Sequence, residues 1–170
     1  MLKDSRVKVN EPGYDGETPL WYAARYGLLD VIKWWIASGR EMDLGTPGDV
    51  DKTDAIRVAK KEKETEIATL LEIFKSDAAH TRHAMRVELG WYEKLAAEMF
   101  ALVVFVSDGL LQINETTTTS TPAARFFNIA RRLPLELQMM LCFRQVRSDK
   151  EIIAGKESEV AFKSLARKLW

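Results

Sequence analysis

The chain has one cysteine, two histidines, no excess of either charge and no long apolar run, and each scarcity closes off a class of protein. With Cys142 alone no internal disulfide can form, so a reducing compartment suits the chain better than an extracellular one. Lys plus Arg and Asp plus Glu both number 25, which removes any global electrostatic pull toward nucleic acid or an anionic membrane and leaves only local patches. The greasiest stretch, MFALVVFV from Met99 to Val106, is eight residues long, against the ~20 that a membrane span needs. It reads as buried core. The opening MLKDSRVKVNEPGYDG carries charges where a signal peptide needs an apolar stretch, so no targeting segment is expected and the implied location is cytoplasmic or nuclear.

Catalytic signatures are scarce as well. His80 and His83 stand three apart, as two metal ligands on a helix can, but no spaced Cys or further His completes a set. Cys142 sits in an amphipathic MMLCF, where a small buried apolar residue is expected rather than a nucleophile. There is no Gly-rich phosphate loop, nucleophile elbow or zinc motif. The expectation is a non-enzyme without cofactor or metal. KKEKE, from Lys60 to Glu64, is a solvated helix face and not a basic stripe with interleaved aromatics, so no nucleic-acid partner and no membrane are expected.

What the sequence does have is a repeat. GETPLWYAARYGLLDVIKWWIASGREMDL lies over VDKTDAIRVAKKEKETEIATLLEIFKS, with Thr18 on Thr53, Leu20 on Ala55, Ala24 on Ala59, Ile32 on Ile67 and Ile36 on Leu71, a period of 35. Thr18 can cap a first helix, and Pro19 suits its first position, where a missing N–H costs nothing. Ala23 and Ala24 keep that helix thin, and Gly27 can stop it in a left-handed conformation. Val31, Ile32, Trp35 and Ile36 then share a face of a second helix, while Trp21 and the tyrosines fall to the edge or the concave surface. In the second copy Asp54 stands at the proline position and Glu62 at the glycine position. Its second helix, with Ile67, Leu70, Leu71 and Phe74 on one side, is that of a terminal unit.

Gly16, Thr18, Pro19, Leu20, Ala23, Ala24, Gly27, Ile32, Trp35, Ile36 and Gly39 resemble the ankyrin repeat, with Trp21 at the family's histidine position. The resemblance covers about residues 2–75: two repeats preceded by the tail of another, Leu2 lying 34 residues before Ile36. The chain is therefore read as starting inside a repeat, either short by nature or the end of a longer array. The implied fold is an all-α, ankyrin-type helical solenoid. The resemblance also implies a protein partner held by turn tips and the concave helix face. The positions implied are Tyr14, Asp15, Glu17, Arg25 and Tyr26 in the first repeat, and Asp49, Val50, Lys52, Lys60 and Lys61 in the second.

Beyond Lys75 the period is lost. Residues 76–113 are expected to continue as helix from Ser76 or Asp77, with Met99, Leu102, Val103, Val106 and Leu110 forming an apolar set. NETTTTSTP, Asn114 to Pro122, reads as a flexible linker. Residues 123–170 are expected to form a C-terminal helical module, with a helix started by Pro134 and a last helix from Ser158. Leu133, Leu137, Met140 and Leu141 are expected to share a face. LPLELQMML resembles the opening of an F-box, which implies Leu133, Pro134, Leu137 and Leu141 as contacts for a Skp1-like protein and the role of a ubiquitin-ligase adaptor. An ordinary capping bundle fits the same residues. Three functions stay open: a plain binding scaffold, that adaptor, and a module that self-associates through its incomplete N-terminal repeat.

Overall fold

A computed structural model describes residues 8–14, 16–45, 54–113 and 121–169. The protein is all-α, and no strand occurs among the described residues. It divides into two compact units, Met1–Leu89 and Gly90–Trp170.

The first unit holds α1 (Pro19–Arg25), α2 (Leu29–Ser38), α3 (Ala55–Lys61), α4 (Thr65–Ser76) and α5 (Ala78–Glu88). Thr18 caps α1 by accepting from the Trp21 N–H at 3.2 Å, with Pro19 following at the first helical position. Gly27, at φ +68°, turns the chain out of α1 while the Leu28 N–H donates to the Ala23 carbonyl. The second pair repeats these devices with other residues. Asp54 caps α3 through the Arg57 N–H at 2.7 Å, and Lys63 takes the left-handed turn at φ +67° while the Glu64 N–H donates to the Ala59 carbonyl. The backbone spacing is thus 36, not the 35 expected from apolar matching, and the glycine counterpart is Lys63 rather than Glu62. Thr53, the expected cap, lies outside the described residues.

Both ends of α1 and α3 lie side by side. A Cβ on Gly45 would meet Thr18 Oγ1 and the Asp54 backbone, each at 4.0 Å, and one on Gly27 would come within 2.8 Å of Glu64 Oε1. The two helices therefore run parallel, with their starts together and their turns together. The preceding loops are stitched by Asn10, whose amide donates to the Glu41 carbonyl at 3.1 Å and accepts from the Asp43 N–H at 3.3 Å. The fifth helix lies against α2 and α4, tied by Arg86 Nε donating to the Ala37 carbonyl at 2.8 Å.

The 36-residue spacing sorts the side chains into three sets. Leu20 and Ile56, Ala23 and Ala59, Ile32 and Ala68, and Trp35 and Leu71 are buried in both pairs; these fill the space within and between the pairs. Tyr22, Val31 and Trp34 are exposed, whereas their equivalents Val58 and Ile67 are buried and Leu70 is half-buried. Conversely, Trp21, Ala24 and Ile36 are buried, whereas their equivalents Arg57, Lys60 and Glu72 are exposed. Equivalent backbone positions therefore differ in burial between the two pairs. That asymmetry corrects two expectations: Trp21 is not at the edge but 3% exposed, and Val31 is not in the α2 core but 46% exposed.

The second unit holds α6 (Trp91–Ser107), α7 (Pro122–Ala130), α8 (Leu135–Gln145) and α9 (Gly155–Leu169). The helical stretch expected over 76–113 is two helices, broken at Gly90 in the left-handed region at φ +61°. Residues 114–120, most of the expected linker, lie outside the described residues. The sixth helix packs against both α8 and α9 and so buries two lines of residues: Ala96, Phe100 and Val103, and Ala97, Ala101 and Phe105. Phe100 and Phe105 both meet Phe162 of α9 edge-on, at 6.1 and 5.8 Å between ring centres. Of the expected apolar set only Val103 is fully buried, and Leu110, past the helix end, is 51% exposed.

Pro134 stands at the start of α8 as expected, but the helix is rotated from the expected face. Gln138, Cys142, Phe143 and Val146 are buried, Leu133, Met140 and Leu141 are half-buried, and Leu137 is 45% exposed. The pivot is Gln138, whose Nε2 donates to the Leu133 carbonyl at 2.9 Å. That bond satisfies a carbonyl left open at the turn, while Gln138 Oε1 is buried without a hydrogen-bond partner among the described residues. The last helix starts at Gly155, three residues before the expected Ser158.

Candidate functional site

The exposed side of α1 carries a cluster of aromatic and charged groups. Its residues follow from the helix phase: with Leu20, Ala23 and Ala24 turned inward, Tyr22, Arg25 and Tyr26 are left outside. The Tyr22 hydroxyl donates to Glu17 Oε2 at 2.6 Å. The Tyr22 and Tyr26 rings stack with centres 6.4 Å apart and planes 8° from parallel. The Arg25 guanidinium lies 5.1 Å from the centre of the Trp21 ring and 5.9 Å from that of Tyr26. A guanidinium held over two aromatic faces keeps its N–H donors in a fixed plane. Tyr26 remains 66% exposed beside it. Aromatic and arginine side chains restrained in this way lose little conformational entropy when a partner covers them.

Glu17, Arg25 and Tyr26 thus come together, with Tyr22 joining them. Tyr22 was absent from the candidates, although its spacing of four from Tyr26 puts the two rings on one helical line. Tyr14 is fully exposed in the turn before α1, where the Gly16 N–H donates to the Gly13 carbonyl. Asp15, Asp49, Val50 and Lys52 lie outside the described residues. Lys60 and Lys61 are exposed in the last turn of α3, and Lys60 is ion-paired with Glu72 of α4 at 2.5 Å.

A concavity of about 410 Å³ lies among α2, α4 and α5, with Leu70, Ile73 and Met85 among the residues that line it. On its rim the Lys33 ammonium donates to Glu88 at 2.8 Å and lies 3.7 Å from Glu66. The Glu88 hydrogen bond and the surrounding carboxylates hold the Lys33 pKa above the ordinary lysine value. On α5, His80 and His83 are exposed, and no cluster of three metal-ligating side chains occurs among the described residues.

In the second unit Pro134 and Leu137 of the F-box-like segment are exposed, and Leu133 and Leu141 are half-buried, Leu141 against the core. Cys142 is fully buried, and burial pushes its thiol up to about 12. No helix among the described residues is long and apolar enough to cross a membrane.

No protein-family model matches the chain, and neither a curated protein nor a solved structure matches it significantly.

Proposed function

We propose that the chain is a non-catalytic binding protein of the ankyrin-repeat type, whose first unit holds a partner protein on the turn tips and the exposed side of α1 and α3. The recurrence of cap, left-handed turn and helix start at 36 residues supports the repeat reading, as does the change of burial between equivalent positions. The observation that carries the functional reading is the Glu17–Tyr22–Arg25–Tyr26 cluster, ordered by its own contacts yet left in solvent. Affinity capture from the native cell tests it. Replacing Tyr14 and Tyr26 by alanine should abolish capture with an unchanged melting temperature, and undiminished capture refutes the reading.

A second reading is favoured by one feature of α8. Pro134 is exposed, with Leu135 56% and Leu137 45% exposed, which suits a ubiquitin-ligase adaptor docking a Skp1-like protein there. Absence of binding to such a purified protein removes this reading.

A further inference from the structure

The concavity among α2, α4 and α5 shares no residue with the α1 cluster. The fifth helix lies against both α2 and α4, and where the three meet α4 presents Thr65, Thr69 and Ile73, four apart on one helical line. The two threonines are short, which leaves the gap open. Ile73 is 47% exposed there, and Leu70 and Met85, both half-buried, carry the apolar floor down to the core. The rim is acidic. Lys33 is the one cation lining the gap among the described residues, and its side chain is only 17% exposed, hydrogen-bonded to Glu88 at 2.8 Å. Glu66, 73% exposed, lies 3.7 Å from the same ammonium, beyond hydrogen-bond length, and the Asp30 charge also acts on it. Three carboxylates thus surround one ammonium that is already engaged.

We propose that this groove docks a basic amphipathic helix of a partner protein, its apolar side chains seated on Leu70, Ile73 and Met85 and its lysines or arginines against Glu66 and Glu88. An apolar floor with an anionic rim selects that occupant on both counts. A neutral apolar segment would strip water from the two glutamates without giving them a partner, and an acidic one would add like charge. Nucleic acid and anionic lipid are repelled for the same reason. The volume of about 410 Å³ falls at the small end of the ~300–1,000 Å³ range of binding clefts. A contact of that size corresponds to a transient complex with a dissociation constant on the order of 10–100 µM.

Fluorescence anisotropy tests the proposal, with the full chain titrated into a fluorescein-labelled leucine–lysine peptide of about 15 residues whose leucines stand at helical spacing. A leucine–glutamate peptide of the same pattern runs beside it. Only the lysine peptide should bind, and more weakly as salt rises from about 0.05 to about 0.5 M. Ile73→Asn should raise the dissociation constant at least tenfold, and Glu66→Gln combined with Glu88→Gln should raise it and flatten the salt dependence. Thr69→Lys, on the exposed rim, replaces Ile73→Asn if that variant loses its helical circular dichroism. Equal binding of the two peptides, binding of neither, or an Ile73→Asn or Thr69→Lys variant as tight as the parent each overturns the proposal. The α1 reading fails separately, because replacing Tyr14 and Tyr26 should leave peptide binding at the parent's strength whether or not it abolishes capture.

Discussion

Ile67 and Val31 occupy the same backbone position in the two helix pairs, yet Ile67 is 1% exposed and Val31 46%. Replacing both by alanine separates backbone equivalence from packing. Ile67→Ala leaves a void between α4 and its neighbours, and truncations of this kind cost about 2–5 kcal/mol. Val31→Ala removes two methyl carbons, worth ~1.6 kcal/mol if fully buried at ~0.8 each, and so roughly 0.8 kcal/mol at half exposure. The better helix propensity of alanine returns about 0.5 kcal/mol. The net cost at position 31 is then about 0.3 kcal/mol, roughly 1.7–4.7 kcal/mol below that at position 67. The mirror pair reverses the order: Ala24→Glu puts a charge into a site with no exposure, while Lys60→Glu acts on an exposed one. Urea unfolding followed by tryptophan fluorescence is the assay, because Trp21, Trp34 and Trp35 report on the first unit. Two compact units can unfold in separate steps, so far-UV circular dichroism should be recorded in parallel. Equal costs at positions 31 and 67 would falsify the burial difference between the two helix pairs.

Three other perturbations have signs fixed by the structure. Lys63 holds a left-handed φ of +67°, so Lys63→Gly should raise stability by about 0.5–1 kcal/mol, and Gly27→Ala should lower it by about 1–2 kcal/mol; a loss on Lys63→Gly in urea unfolding contradicts this. Cys142, with its thiol pushed up to about 12 by burial, should resist Ellman's reagent at pH 8 until urea unfolds the second unit, and labelling at the unfolded rate in native buffer tells against the buried assignment. Glu93 is raised by burial but lowered more by the Lys150 hydrogen bond, its own backbone N–H and the Lys150 charge, and it ends below its ordinary value of 4.5. Its contribution to stability is therefore present above that value and lost as pH falls through the lower folded one. Glu93→Gln should flatten the acid limb of melting temperature against pH, and an unchanged limb shows that other carboxylates set it.

The sequence by itself determined the elements that depend on local chemistry. Thr18 with Pro19, Gly27, Gly39 and Pro134 mark where helices begin or stop, because a cap, a ring-locked φ or a left-handed residue acts within one turn. Cys142 could be read as buried from its apolar neighbours. Glu17, Arg25 and Tyr26 of the α1 cluster are among the positions that the ankyrin resemblance implies, whereas Tyr22 is not.

Only the tertiary structure decided which apolar residues are covered. Trp21 and Tyr22 are adjacent aromatics on one short helix, and nothing local says that the first is buried in the core while the second is left outside. Matching apolar residues gives 35 because it aligns Ile36 with Leu71, whereas the helix caps and left-handed turns recur at 36. Gln138 is turned inward, where its amide meets the Leu133 carbonyl, and Leu137 beside it is left exposed. Local bonds set where a helix starts, but burial depends on which surfaces its neighbours cover, and those neighbours are brought together only by the fold.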